Sequence, residues 1–66
     1  GGNAPCVLNA ANEIAVEAFL KDQIGFLAMS DLIESCLNKV AFLPKPTYQD
    51  YVETDRETRQ LAREML

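Results

Sequence analysis

Histidine and tryptophan are absent from this 66-residue chain, and cysteine, glycine and proline are scarce, with two, three and three residues. Without histidine, the zinc sites that combine cysteine with imidazole ligands are excluded. Cys6 and Cys36 do not form a CxxC motif, and no secretory segment is recognisable. We therefore expect two reduced thiols and no disulfide. The chain begins Gly-Gly-Asn, which indicates a processed terminus, a tag scar or a piece of a longer protein.

Basic residues are also few, since ten acidic residues outnumber six basic ones and the net charge is −4. A nucleic-acid-binding protein usually carries a basic face, so nucleic acid is not an expected partner. No apolar run approaches the roughly 20 residues that span a bilayer, so a membrane is not expected either. We expect one soluble, cytoplasmic domain covering residues 1–66. A domain of this size buries only about 60% of its unfolded surface and is marginally stable alone.

The first predicted helix contains the segment LNAANEIAVEAF (8–19). Asn3 is placed to cap it, and Pro5 fits its first turn. The polar strip is narrow, and a helix that is apolar around most of its circumference is usually central. That strip consists of Glu13, Glu17 and Lys21. The apolar positions at helical spacing are Val7, Leu8, Ala11, Ile14, Ala15, Ala18 and Phe19.

A second amphipathic helix follows, with Gly25 predicted to supply the left-handed turn and Ser30 predicted as the N-cap. Its single apolar face consists of Leu32, Ile33, Cys36, Leu37 and Val40. The prolines of FLPKPT (42–47) then interrupt the helical pattern.

A third helix is predicted from Thr47, a capping residue, to Leu66. The segment Thr54-Asp-Arg-Glu matches the capping-box pattern and predicts a restart or kink there. The apolar stripe consists of Tyr48, Tyr51, Thr58, Leu61, Ala62 and Met65. Because no segment alternates as a strand would, we predict an all-α fold, a small bundle of three to four helices.

Candidate catalytic residues are few. Glu13 could carry a proton, but no partner that would orient it is identifiable, and surface glutamates are common in helices. Cys6 lies in a first helical turn, which can lower a thiol pKa, yet without histidine an inert thiol is favoured. Cys36 falls on an apolar face and is expected in the core. We therefore predict no catalytic, cofactor-binding or metal-binding residue in this chain.

Two further features suggest anion binding. Gly1 and Gly2 precede a helix start, where free N–H groups can hold an anion, although a linker or terminal scar is the simpler interpretation. Arg56, Arg59 and Arg63 could hold a phosphate or an acidic partner. Acidic residues are interleaved with them, so an internally paired, solvated face is favoured.

Asn9 and Asn12 are the least expected residues of the first helix, because asparagine is a mediocre helix former. They share a flank with Val16 and Leu20. This flank could be exposed, with both amides in water, but the narrow polar strip leads us to expect that it is covered. A covered amide without a hydrogen-bond partner costs roughly 1–3 kcal/mol, so partners must then exist. Part of the cover would come from polypeptide outside these residues.

The segment GGNAPCVLNAANEIAVEAFLKDQIGFLAMSDLIE (1–34) resembles the C-terminal region of the 1-deoxy-D-xylulose 5-phosphate reductoisomerase family. The later segment TYQDYVETDRETRQLARE (47–64) resembles the closing helix of that family more loosely. The resemblance covers essentially the whole chain. It rests on Gly1-Gly2, the run from Pro5 to Glu13, Ala18-Phe19-Leu20, Ile24-Gly25-Phe26, Asp55 and Ala62-Arg63.

This resemblance implies a parent enzyme that makes 2-C-methyl-D-erythritol 4-phosphate in non-mevalonate isoprenoid biosynthesis, using NADPH and a divalent cation (Mg or Mn). It implies a homodimeric parent with a dinucleotide-binding domain, a catalytic domain and a C-terminal helical domain. The metal ligands and substrate-binding residues of the family precede this region, so none is assigned here. The implied partner is the catalytic domain of the same chain, and the fragment is expected to be inactive and prone to self-association.

Three interpretations remain open at this point. The first is a structural C-terminal domain of such an enzyme. The second is a free-standing helical module that binds a partner protein through its apolar flank. The third, a self-contained enzyme, is disfavoured because the chain lacks a nucleophile–base pair.

Overall fold

The computed structural model describes all residues from 1 to 66 and contains three helices and no strand. They are α1 (Ala4–Leu20), α2 (Phe26–Lys39) and α3 (Tyr48–Glu64). α1 packs against both other helices, whereas α2 and α3 contact each other much less. The predicted all-α bundle is therefore confirmed. The expected central position of the first helix holds only in that both other helices contact α1, since one side of α1 is exposed. No helix combines the length and the apolar character needed to cross a membrane.

The hydrophobic core is built from small side chains, which allow the helices to approach closely. The fully buried side chains of largest volume are Asn3, Thr58 and Cys36, so the predicted core position of Cys36 is confirmed. A core in which two of the largest buried side chains are polar offers little apolar surface for stabilisation. The buried cluster consists of Val7, Ala11, Ile14, Ala15, Leu32, Cys36, Val40 and Ala62.

Asn3 occupies the N-cap position of α1, but its side chain does not cap the helix, so that part of the prediction is wrong. The side chain is 1% exposed and is used for contacts distant in sequence. Its Nδ2 donates to the Ala41 carbonyl at 2.9 Å and to Thr54 Oγ1 at 3.3 Å. Its Oδ1 accepts from the Leu43 amide at 2.8 Å. Asn3 thereby joins α1 to the α2–α3 loop and to α3.

Gly2 lies directly against the same loop. Its φ is +66°, and a Cβ at this position would lie 2.5 Å from the Leu43 carbonyl oxygen and 2.8 Å from the Phe42 ring. Only glycine adopts this conformation readily without a steric clash. This close approach accounts for glycine at position 2 without an anion, and no local pattern indicates it.

The α1–α2 turn differs from the prediction. Asp22 rather than Gly25 adopts the left-handed conformation, with φ 58°, which aspartate tolerates better than most side chains. Gly25 is extended and is the N-cap of α2. α2 begins at Phe26, so the predicted cap at Ser30 is wrong. The first turn of α2, which was not predicted, contains Phe26. Its ring packs edge-to-face with that of Phe19, with centroids 6.2 Å apart.

The start of α3 confirms Thr47 as its cap. Thr47 Oγ1 accepts from the Asp50 amide at 3.1 Å, and Asp50 Oδ2 accepts from the Thr47 amide at 2.9 Å. This reciprocal pair is a capping box. The second box predicted at Thr54 is wrong, because α3 is continuous there and the Thr54 hydroxyl accepts a hydrogen bond from Asn3 instead.

Three predicted apolar positions of α2 and α3 are exposed. Tyr48 is 82% exposed and Tyr51 is also exposed, although the Tyr51 carbonyl lies 3.7 Å from Cys6 Sγ of α1. Leu37 is exposed because α2 packs on α1 through Leu32 and Cys36.

Candidate docking surface on the first helix

One side of α1 is buried by the other two helices, and the opposite side is largely free. We call this free side the α1 surface. Leu8 is 49% exposed and Leu20 is 74% exposed. Both α2 and α3 pack on the same half of α1, so three helices do not enclose it. The α1 surface consists of Pro5, Leu8, Asn9, Asn12, Val16, Phe19 and Leu20.

Asn9 and Asn12 lie at the centre of this surface, and both are exposed. None of the side-chain hydrogen bonds in the structure involves either amide. Together with Pro5 and Leu8 they line an open depression. The expectation that residues of this chain cover the flank is therefore wrong.

The assignment of Leu8 and Phe19 to the buried arc is also wrong, because their side chains are 49% and 36% exposed, respectively. The apolar area continues round the α1–α2 turn through the contact between Phe19 and Phe26. Phe26 and Leu27 are 70% and 79% exposed, respectively. Neither residue was predicted to be exposed, although both precede the predicted Ser30 cap. Contiguous exposed apolar surface of this kind is typical of an interaction site.

Glu13, a candidate proton carrier in the sequence, is placed in an ion pair. Arg59 Nη2 lies 3.2 Å from Glu13 Oε2, and Arg59 Nε lies 2.9 Å from Asp55 Oδ2. The hydrogen bonds that Arg59 donates to Glu13 and Asp55 raise the pKa of its guanidinium above the usual value. Glu13 thus forms a contact with Arg59 that links α1 to α3.

The arginines of α3 largely pair within the chain, as expected. Arg56 Nη2 lies 2.7 Å from Glu53 Oε2, and this hydrogen bond lowers the pKa of Glu53. The predicted i, i+4 pair on α1 is present too, with Lys21 Nζ 3.3 Å from Glu17 Oε1. Exposed pairs such as these contribute little to stability, about 0–1 kcal/mol each.

The thiols are less acidic than free cysteine. Burial, followed by the negative charge of Asp55, raises the pKa of Cys6. Burial likewise raises the pKa of Cys36. A raised pKa lowers the thiolate fraction near neutral pH, which favours inert thiols at both positions.

The side chains of this chain do not fit the divalent cation implied by the resemblance. No group of three or more cysteine or acidic side chains lies close enough together to hold a metal ion. Several of the carboxylates instead pair with arginine or lysine.

Comparison with known proteins agrees with the resemblance. The family profile of the DXP reductoisomerase C-terminal domain matches residues 1–61. The 1-deoxy-D-xylulose 5-phosphate reductoisomerase of Phocaeicola vulgatus is 58% identical over 65 residues, which are 98% of this chain and 17% of the relative. The Bacteroides thetaiotaomicron enzyme of the same name is 54% identical over 66 residues, covering 100% of this chain and 17% of the relative. The Solibacter usitatus enzyme is 48% identical over 65 residues, or 98% of this chain and 16% of the relative. No solved structure matches this chain significantly.

The fold and its free face define a small helical domain with one unpartnered surface. The chain belongs to the DXP reductoisomerase C-terminal domain family. It spans only 17% of the length of the Phocaeicola vulgatus and Bacteroides fragilis enzymes that it matches.

Proposed function

We propose that this domain is the structural C-terminal part of a 1-deoxy-D-xylulose 5-phosphate reductoisomerase and packs on another part of that polypeptide through the α1 surface. The observation that carries the proposal is the large exposed apolar face of α1, in a chain that covers only about one sixth of the length of its relatives. The occupant is the polypeptide outside these residues, and the catalytic domain of the same chain is the candidate partner.

The activity proposed for the whole protein is the NADPH-dependent conversion of 1-deoxy-D-xylulose 5-phosphate to 2-C-methyl-D-erythritol 4-phosphate, in the cytoplasm. NADPH would supply the hydride and a divalent cation the charge stabilisation. Both would bind outside this domain, because the resemblance places the metal ligands and the dinucleotide-binding domain before it in the polypeptide. The domain would affect turnover only by holding the residues that react, and a homodimeric parent fits this arrangement.

A charge-introducing variant tests the packing in the full-length enzyme. Leu20→Glu should lower the melting temperature and the turnover together, since it places a carboxylate in a covered apolar contact. Val52→Glu is the matched control, because Val52 is 42% exposed on α3, away from the α1 surface. Equal melting temperatures and equal turnover for the two variants would refute the proposed packing.

The isolated 66-residue chain should not oxidise NADPH when the phosphosugar is supplied. Steady turnover by the pure chain would contradict a purely structural domain.

The second candidate is a free-standing interaction module, which the same exposed surface would also suit. The gene distinguishes the two. A reading frame that continues well upstream of Gly1 and encodes a GxGxxG motif supports the enzyme, whereas a frame of about this length supports the module.

A further inference from the structure

Asn9 and Asn12 reduce the intrinsic stability of the helix that contains them. Asparagine in a helix interior is less favourable than alanine by up to about 0.7 kcal/mol per residue. Neither amide recovers this cost by bonding within the chain, since both side chains are exposed and open to water. Departures from local preference without a local compensation are expected at sites that serve a function.

The two amides lie among apolar side chains on the α1 surface, and the nearest ionised residue, Glu13, is four positions from Asn9 and pairs with Arg59 of α3. Positions three apart are neighbours on one helix face, so Asn9 and Asn12 are adjacent on the α1 surface. All other members of that surface are apolar. The ionised residues of α1 lie outside it, and two of them pair with each other, Glu17 with Lys21.

The chemistry of the surface restricts what can cover it. Each carboxamide offers two N–H donors and an acceptor oxygen, and a covered amide left unpaired is destabilising. A charged partner group would lose its hydration without meeting an unpaired opposite charge, since Glu13 already pairs with Arg59, and this is more costly still. Peptide groups and neutral polar side chains can both donate and accept without that cost.

We propose that Asn9 and Asn12 fix the position of the covering segment by hydrogen bonds to its neutral polar groups, while the apolar residues around them supply the contact area. The segment belongs to the reductoisomerase polypeptide outside residues 1–66. The face that it presents to α1 is uncharged, and it is apolar except for the neutral polar groups that meet the two amides. This inference rests on the proposed function. The amount of polypeptide available supports it, since relatives devote only 17% of their length to this domain.

Alanine variants in the full-length enzyme give the sharper test, because local and interface effects have opposite signs. Asn9→Ala and Asn12→Ala raise helix propensity and should stabilise α1 if nothing covers it. The proposal predicts lower melting temperatures and a rise of about tenfold or more in the hydrogen-exchange rates of α1 amides, as expected when a buried hydrogen bond is lost. Asn38→Ala, at an exposed asparagine of α2, is the matched control and should show neither change.

Aspartate variants separate charge from hydrogen bonding. Asn9→Asp and Asn12→Asp keep the side-chain shape but add a charge to the covered surface, so they should destabilise the enzyme more than the alanine variants do. Asn38→Asp is again the control. The helix dipole alone would favour the opposite order. It tolerates an acidic residue better towards the start of α1 than near the end of α2, so it would make Asn38→Asp the more destabilising change.

The outcomes distinguish this inference from the function on which it rests. If Leu20→Glu destabilises the enzyme but the alanine variants at Asn9 and Asn12 are as stable as wild type or more so, the surface is covered and the amides do not bond. If Leu20→Glu is also without effect, the proposed function and the inference both fail.

Discussion

Asn3 Nδ2 lies 3.3 Å from Thr54 Oγ1, and this buried hydrogen bond connects the first turn of α1 to the second turn of α3. The same side chain binds the loop between α2 and α3 at Ala41 and Leu43. Asn3 thus links α1, α3 and the α2–α3 loop, which the small apolar core of the domain stabilises least.

Replacing Asn3 with alanine should lower the free energy of unfolding by about 2 kcal/mol, because the Thr54 hydroxyl and the Leu43 amide lose their partner. Urea denaturation of the 66-residue chain measures this change. Asn38→Ala, at an exposed position, is the control. A midpoint for Asn3→Ala equal to that of the control would show that the buried bonds do not stabilise the fold.

Glycine-to-alanine substitution should have opposite effects at two positions. Gly2→Ala should destabilise the chain by about 1–3 kcal/mol, since φ is positive and the new Cβ meets the Leu43 carbonyl. Gly25→Ala should be close to neutral, because φ is −83° and nothing lies within 4 Å of the added Cβ, while alanine is a poorer N-cap than glycine. Thermal unfolding of both variants checks the pair, and the reverse order would mean that the Gly2 contact with the loop is not maintained.

Thr58 and Thr54 give a second contrasting pair. Both are buried in α3, but Thr58 Oγ1 has no hydrogen-bond partner, whereas Thr54 Oγ1 accepts from Asn3. Thr58→Val should be neutral or stabilise by up to about 1 kcal/mol, and Thr54→Val should destabilise by about 1–2 kcal/mol. Denaturant midpoints rank the two variants, and a strongly destabilised Thr58→Val would reveal a partner for its hydroxyl.

Ile14 is the largest aliphatic side chain that α1 contributes to the core, and it is 4% exposed. A polar substitution such as Ile14→Asn should cost about 2–5 kcal/mol, because it removes buried apolar volume and adds an unpaired amide. The matched control is Val52→Asn on the exposed side of α3. Coincident melting curves for the two variants would place Ile14 outside the core.

The sequence predicted the local features of the fold well. Helical periodicity identified three helices, and Pro44 and Pro46 marked the α2–α3 loop. The Thr47 cap was recognised because its partner, Asp50, lies only three residues away. Such features are predictable because the residues that determine them are close together in the sequence.

Contacts that are distant in sequence were not predictable in the same way. Asn3 was expected to cap α1 because nothing near it indicates that Thr54 and Leu43 lie within reach. Leu8 and Leu20 are exposed because both other helices pack against the same half of α1. The periodicity of α1 alone does not show which half the other helices will contact. The unpartnered amides at Asn9 and Asn12 were conspicuous in the sequence, but whether this chain covers them was a tertiary question.

Thiol labelling at Leu20 in the full-length reductoisomerase is the most direct test of the central claim, that the rest of the polypeptide covers the α1 surface. Leu20→Cys and the exposed control Asn38→Cys would be labelled with a small alkylating reagent, and the modified peptides would be quantified separately from those of Cys6 and Cys36. The account predicts that labelling at position 20 is about tenfold slower or more than at position 38 in the native enzyme, and that the two rates become similar on unfolding. Equal rates in the native enzyme would contradict it.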